Sequence, residues 1–148
     1  IKATVAGDEL SSLLTGGTDV YIKDNRIISY ACSLKDFETL SASLNIIKAG
    51  TMPGELVHGK IIPSHDLAMS VLINREQWRL YEATWDEAID FLRMADFVPR
   101  ISEHGRVLVC YRNVPLGFVN NLGNRANNGY PQGWRKRKKK RDTFEDVL

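Results

Sequence analysis

The stretch VLVCYRNVPLGFV, Val107 to Val119, sets the fold class. Val107–Tyr111 and Leu116–Val119 are rich in β-branched and aromatic residues. Arg112-Asn113-Val114-Pro115 between them has turn chemistry, so the spacing predicts two strands joined by a turn. Upstream, Thr84-Trp85-Asp86-Glu87 places a threonine three residues before a glutamate, the capping-box pattern. Trp85, Ala88, Ile89 and Leu92 then recur at helical spacing, predicting a helix over 85–94. Gln77–Glu82 alternates Trp78, Leu80 and Glu82 against Arg79 and Tyr81 and predicts a strand.

Working back to the start, Pro63-Ser64 opens a helix with Leu67, Ala68, Val71 and Leu72 as its apolar stripe. Glu55–Val57 and Lys60–Ile62 flank His58-Gly59 as a possible tight hairpin. Leu44–Lys48 reads as a strand running into a turn over Ala49–Gly54. Ser33 caps a short helix with Leu34, Phe37 and Leu40 on one face. Asp24-Asn25 joins strands Asp19–Lys23 and Arg26–Ala31, and Asp8–Leu14 forms one or two helical turns stopped at Gly16-Gly17. Short strands thus alternate with three or four short helices and no long β-α-β repeat. This predicts an α+β protein with a small bent sheet or barrel.

The 148 residues are 43% hydrophobic and 26% charged, the mixture of a globular protein able to bury a core. No apolar run approaches the roughly 18 residues of a membrane span, and residues 1–10 lack a signal-peptide pattern. The start at Ile1 in place of Met predicts a fragment or a processed product. Cys32 and Cys110 sit in separate apolar stretches, with His58, His65 and His104 scattered. That spacing argues against structural zinc and a nucleophilic triad, and it predicts core thiols in a reducing cytoplasm. The net charge of +2 is unevenly spread. Residues 1–70 carry 6 Lys/Arg against 8 Asp/Glu, residues 71–148 carry 14 against 10, and Arg135–Arg141 supplies seven of those 14. Such a run fits a polyanion partner or a solvated, fraying tail.

Residues 115–135, PLGFVNNLGNRANNGYPQGWR, combine amides, arginines, glycines and rings. Asn120, Asn121, Asn124, Asn127 and Asn128 both donate and accept hydrogen bonds, and Arg125 and Arg135 fork onto phosphate. Tyr130 and Trp134 present flat faces to an unpaired base. Gly123 and Gly129 permit turns and close approach of a ligand backbone. Arg112 and Lys136 are further candidates. Asparagine and glycine are equally the residues of tight turns, so composition leaves RNA contact and simple turn-building both open.

The ordered motifs Gly105-Arg106-Val107-Leu108-Val109, Pro115-Leu116-Gly117-Phe118, Asn121–Asn128 and Tyr130-Pro131 resemble the C-terminal PUA-like domain of the bacterial 16S rRNA cytosine-C5 methyltransferase F-like proteins. These belong to the Nol/Nop/Sun family. Lys48-Ala49-Gly50, Gly54-Glu55, Pro63-Ser64-His65 and Leu67-Ala68 resemble the segment preceding that domain, and Phe91-Leu92-Arg93-Met94 stands near a family helix end. The resemblance covers roughly residues 20–135. The chain departs from it at Asn120, where relatives commonly have lysine, and in its basic tail.

The resemblance implies a small α+β pre-PUA subdomain over 1–66 and a PUA-like bent β-barrel over 67–135, and the low-complexity composition predicts a flexible basic tail over 136–148. It implies an RNA-binding module in the cytoplasm with ribosomal RNA as partner. The catalytic domain would precede it in the parent chain, using S-adenosylmethionine and a cysteine thiolate to methylate cytosine. Neither cysteine here has a Pro-Cys or Thr-Cys context and no glycine-rich strand–turn–helix appears, so this chain is not expected to methylate alone. The alternatives are an intramolecular scaffold without RNA contact, or a protein-interaction domain anchored by Trp78, Trp85 or Trp134.

Overall fold

A computed structural model describes residues 4–5, 7–16, 19–30 and 32–137. Gly17, Ala31 and the tail beyond Arg137, each part of an expectation above, lie outside them. The chain divides into two compact units, Ile1–Gln77 and Trp78–Leu148. The first unit therefore runs further than the 66/67 boundary expected from sequence. Residues 72–74 are tied back to its start: Leu14 bridges Ile73, Asn74 N–H donates to the Leu13 carbonyl at 3.0 Å, and Asn74 Nδ2 donates to the Ser12 carbonyl at 2.9 Å.

The first unit holds β1 (Thr4–Val5), α1 (Asp8–Ser11), β2 (Val20–Lys23), β3 (Arg26–Ser29), α2 (Leu34–Ser43), β4 (Thr51–Val57), β5 (Lys60–Pro63) and α3 (His65–Met69). Its five strands pair antiparallel in chain order. Asp24 and Asn25 both have positive φ, as do His58 and Gly59, so these two-residue connections are the type I′ turns that match strand twist. Ser33 and Ser64 cap α2 and α3 as read from sequence.

Three expectations here fail for tertiary reasons. Leu44–Lys48 is not a strand: β3 pairs directly with β4, leaving it no partner, and Ile47 is 96% exposed. The stretch Met52-Pro53-Gly54 is not a turn but lies within β4. Pro53 stands opposite the register shift between Ile27 and Ser29, where a missing N–H costs no ladder bond. Finally, α3 ends at Met69, so only Leu67 and Ala68 of its expected stripe are buried.

The second unit holds β6 (Arg79–Glu82), α4 (Trp85–Arg93), β7 (Gly105–Tyr111), β8 (Val114–Asn121) and β9 (Ala126–Asn128), in sheet order β6-β7-β8-β9. The α+β class holds for both units. This sheet has a bulge between Val109 and Cys110, and among the described residues no pairing closes β6 onto β9 as a barrel. The pair β6–β7 is parallel, with α4 as its crossover, and the other pairs are antiparallel. The β7–β8 turn is narrower than expected: Arg112 and Asn113 alone form it, both with positive φ.

One sheet face carries Tyr81, Val107, Val109 and Val119, which cluster with Ala88 and Phe91 of α4 and with Phe97. Tyr81 faces this core and Leu80 does not, being 45% exposed. The α4 N-terminus has the full capping box: Thr84 N–H donates to Glu87 Oε2 at 2.9 Å and Glu87 N–H donates to Thr84 Oγ1 at 3.3 Å. The Tyr81 hydroxyl donates to Glu87 Oε1 at 2.9 Å, and Arg100 Nε lies 3.1 Å from the same oxygen.

Burial raises the Glu87 pKa, but the Thr84 N–H, the Tyr81 hydroxyl and Arg100 together outweigh it and hold the carboxyl below its ordinary value of 4.5. A depressed carboxylate contributes stability that is present above its unfolded pKa and lost as pH falls through the folded one. The second unit should therefore lose urea resistance as pH drops below 4.5, and Glu87→Gln should flatten that loss. Equal pH slopes for the two proteins would contradict the assignment.

Candidate nucleic-acid interface

The last carbonyls of a helix lack internal partners and must find them elsewhere. At the end of α4, Met94 turns into the left-handed region at φ 55. Its N–H donates to the Phe91 carbonyl at 3.0 Å, and Ala95 N–H donates to the Asp90 carbonyl at 2.9 Å, the Schellman arrangement without its usual glycine. The segment after β8 supplies the rest. Asn128 Nδ2 donates to the Phe91 carbonyl at 2.8 Å, and Lys136 N–H donates to the Leu92 carbonyl at 2.9 Å. The chain from Asn128 to Lys136 is thus pinned at both ends to consecutive carbonyls of one helix. Between the pins, Tyr130 sits edge-on to Phe91 at 5.7 Å and to Trp134 at 6.4 Å.

The nine candidates from sequence separate into distinct groups. Asn121 is fully buried on the core face, in line with Val119. Its Nδ2 donates to the carbonyls of Glu103 at 2.8 Å and Ile101 at 3.4 Å, and its Oδ1 accepts from Gly123 N–H at 3.1 Å. Asn128 holds α4 through Nδ2 and accepts from Tyr130 N–H at 2.8 Å. Both amides are bonded to the protein's own backbone, and Asn128 also lines a cleft with Arg125. Tyr130 is half-buried against the core and supports its neighbours rather than offering an open face.

Arg112 occupies the turn at the opposite end of the β7–β8 hairpin, with its guanidinium 5.7 Å from the Tyr111 ring centre. Seven strand residues separate that turn from the Asn121 end, about 20 Å at the usual rise, so Arg112 is not brought to the others. The glycines also serve the chain itself. A side chain at Gly123, where φ is 92, would stand 2.7 Å from His104 Nε2. One at Gly129 would stand 2.8 Å from the Phe118 carbonyl oxygen.

The remaining candidates gather on two clefts. Asn124, Arg125 and Asn127 line one of about 630 Å³ together with Met94, Asp96 and Val98. Arg135 lines a second, of about 510 Å³, with Met94, Gln132 and Arg137. Met94 borders both. Lys136 is exposed, and it contributes its backbone to the α4 cap.

Arg137 was missed in the sequence reading. Arg135 and Arg137 line one cleft while Lys136 does not. The register aligns Arg106, Asn120 and Asn127 in one row across β7, β8 and β9. Burial lowers the Arg106 pKa, yet a guanidinium stays charged. Three arginines on adjoining concavities give permanent positive charge in forked geometry, suited to phosphate oxygens. The first unit has a larger cleft of about 720 Å³ beside α2, lined by Arg26 and by Lys48, which pairs with Asp66 at 3.4 Å.

The family model described as Methyltransferase RsmF PUA domain matches residues 73–136. The match spans all of β6 to β9, α4 and the cleft lined by Asn124, Arg125 and Asn127, ends one residue before Arg137 of the second cleft, and supports a PUA-like domain of an RsmF-type methyltransferase. No curated protein matches the chain. The PUA-like domain is the non-catalytic part of such an enzyme. The end of β6 leads into the α4 N-terminus, where a nucleotide cofactor would seek N–H groups, and Glu87 and Thr84 already fill it. Cys110 is buried behind the sheet, and Cys32 is only half-buried, beside a cleft of about 460 Å³ in the first unit. No helix among the described residues is long and apolar enough to cross a membrane.

Proposed function

We propose that the PUA-like domain binds ribosomal RNA and presents it to a catalytic domain preceding this segment in a Nol/Nop/Sun-type parent chain. That catalytic domain would bind S-adenosylmethionine and methylate carbon 5 of a cytosine in the cytoplasm. The carrying observation is the pair of arginine-lined clefts that meet at Met94, in a segment similar to the RsmF PUA domain. Arg125, Arg135 and Arg137 would hold phosphates, Asn124 and Asn127 would contact sugar or base edges, and Asn121, Asn128 and Tyr130 would hold the frame.

The test is filter binding of the chain to ribosomal RNA fragments across a salt series. Each phosphate contact releases condensed counterions, so binding should weaken as salt rises. Arg125→Ala with Arg135→Ala should weaken binding at least about tenfold and flatten the slope of log Kd against log salt by about 1.5–2. Arg112→Ala, at the far end of the hairpin, should leave both unchanged. An unaffected double variant, or an Arg112→Ala variant as weak as it, would put the interface elsewhere.

A further inference from the structure

We propose that this interface takes an unpaired nucleotide, its base stacked on Trp134 and its neighbouring phosphates held by Arg135 and Arg137. The inference rests on the RNA-binding reading above and specifies the substrate class.

Trp134 is 59% exposed. An exposed tryptophan forgoes the large apolar gain that burial would bring. Yet it does not hang on a loose loop. It closes the short 3-10 turn Gln132–Trp134, with its N–H donating to the Pro131 carbonyl at 2.9 Å. Arg135 N–H donates to the Gln132 carbonyl at 3.2 Å, and Lys136 N–H is fixed to Leu92. The indole meets Tyr130 at an interplanar angle of 73°, and Tyr130 meets Phe91 at 65°. A file of rings therefore leads from the buried Phe91 to the surface and holds the last ring in place.

A platform held this way loses little freedom when a flat partner lands on it, which favours stacking. The residues beside it choose the partner. Arg135 and Arg137, one and three residues beyond Trp134 in the chain, line a cleft where Gln132 offers both a donor and an acceptor. Within a continuous duplex every base face is covered by its neighbours. A ring set next to phosphate-binding cations therefore suits a base that has left the stack, as in a bulge, a loop or a single strand.

The experiment uses the full 148-residue chain. Two synthetic RNA hairpins, one fully paired and one with a single bulged nucleotide, are titrated by fluorescence anisotropy. The wild-type chain should prefer the bulged hairpin. Trp134→Ala should lose about tenfold or more on that RNA and change little on the paired one, while Trp134→Phe keeps most of the preference. The bulged hairpin should quench tryptophan emission in the wild type and much less in Trp134→Phe. If the wild type binds RNA and Trp134→Ala alters neither hairpin, or both equally, the stacking proposal fails and the RNA-binding reading survives. If the wild type binds neither hairpin nor ribosomal RNA, both fall together.

Discussion

Replacing Phe91 by alanine should destabilise the second unit by about 3–5 kcal/mol, the usual cost of emptying a buried aromatic site. Phe91 is the largest fully buried side chain in the core between α4 and the sheet. It meets Phe97 edge-on at 6.3 Å and Tyr130 at 5.7 Å, so the variant leaves a cavity and removes a partner from each ring. Domains of this size keep only about 5–15 kcal/mol in total, so the loss should be evident as a much lower urea midpoint in near-ultraviolet circular dichroism. Weaker RNA binding should accompany it, because Tyr130 and the segment carrying Trp134 rest on that ring. A change under about 1 kcal/mol would mean that α4 does not pack on the sheet as described.

Asn121→Ala should also be severe, at about 2–4 kcal/mol, for a different reason. The variant leaves the part-buried Ile101 and Glu103 carbonyls and the Gly123 N–H without their side-chain partner and empties a fully buried site. Unpaired buried polar groups cost their full desolvation, so the loss exceeds what the missing atoms alone would predict. Asn124→Ala, on the exposed cleft rim, should stay within about 0.5 kcal/mol. The same pair should reverse in binding: Asn124→Ala weakens RNA contact, and Asn121→Ala does not at temperatures where it remains folded. Thermal unfolding together with filter binding at low temperature checks both halves. Equal stability of the two variants would remove the distinction drawn between them.

That distinction also marks where sequence reading reached its limit. Asn121 and Asn124 stand three residues apart in one asparagine-rich stretch, with the same chemistry. Strand alternation puts Asn121 in line with Val119 and Asn120 in line with Phe118, but Val119 and Phe118 are both buried. Alternation sorts residues by face without telling which face receives the helix. Tyr81 and Leu80 pose the same problem, as apolar neighbours of which the fold buries one. Leu44–Lys48 has good strand composition, and it stayed outside the sheet because β4 took its place beside β3.

What the amino-acid order determined alone is local. The capping box at Thr84, the caps at Ser33 and Ser64, and the paired positive-φ turns at Asp24-Asn25 and His58-Gly59 depend on atoms a few residues apart, so neighbours in the chain suffice to specify them. The ordered motifs from Gly105 to Pro131 added the likeness to a PUA-like domain. Only the tertiary structure decided which amides face inward, that β6 runs parallel to β7, and that Arg125 and Arg135 reach adjoining clefts through Met94. Those outcomes follow from competition between distant segments for the same edge, face or carbonyl, and such contests are settled by packing the whole unit at once.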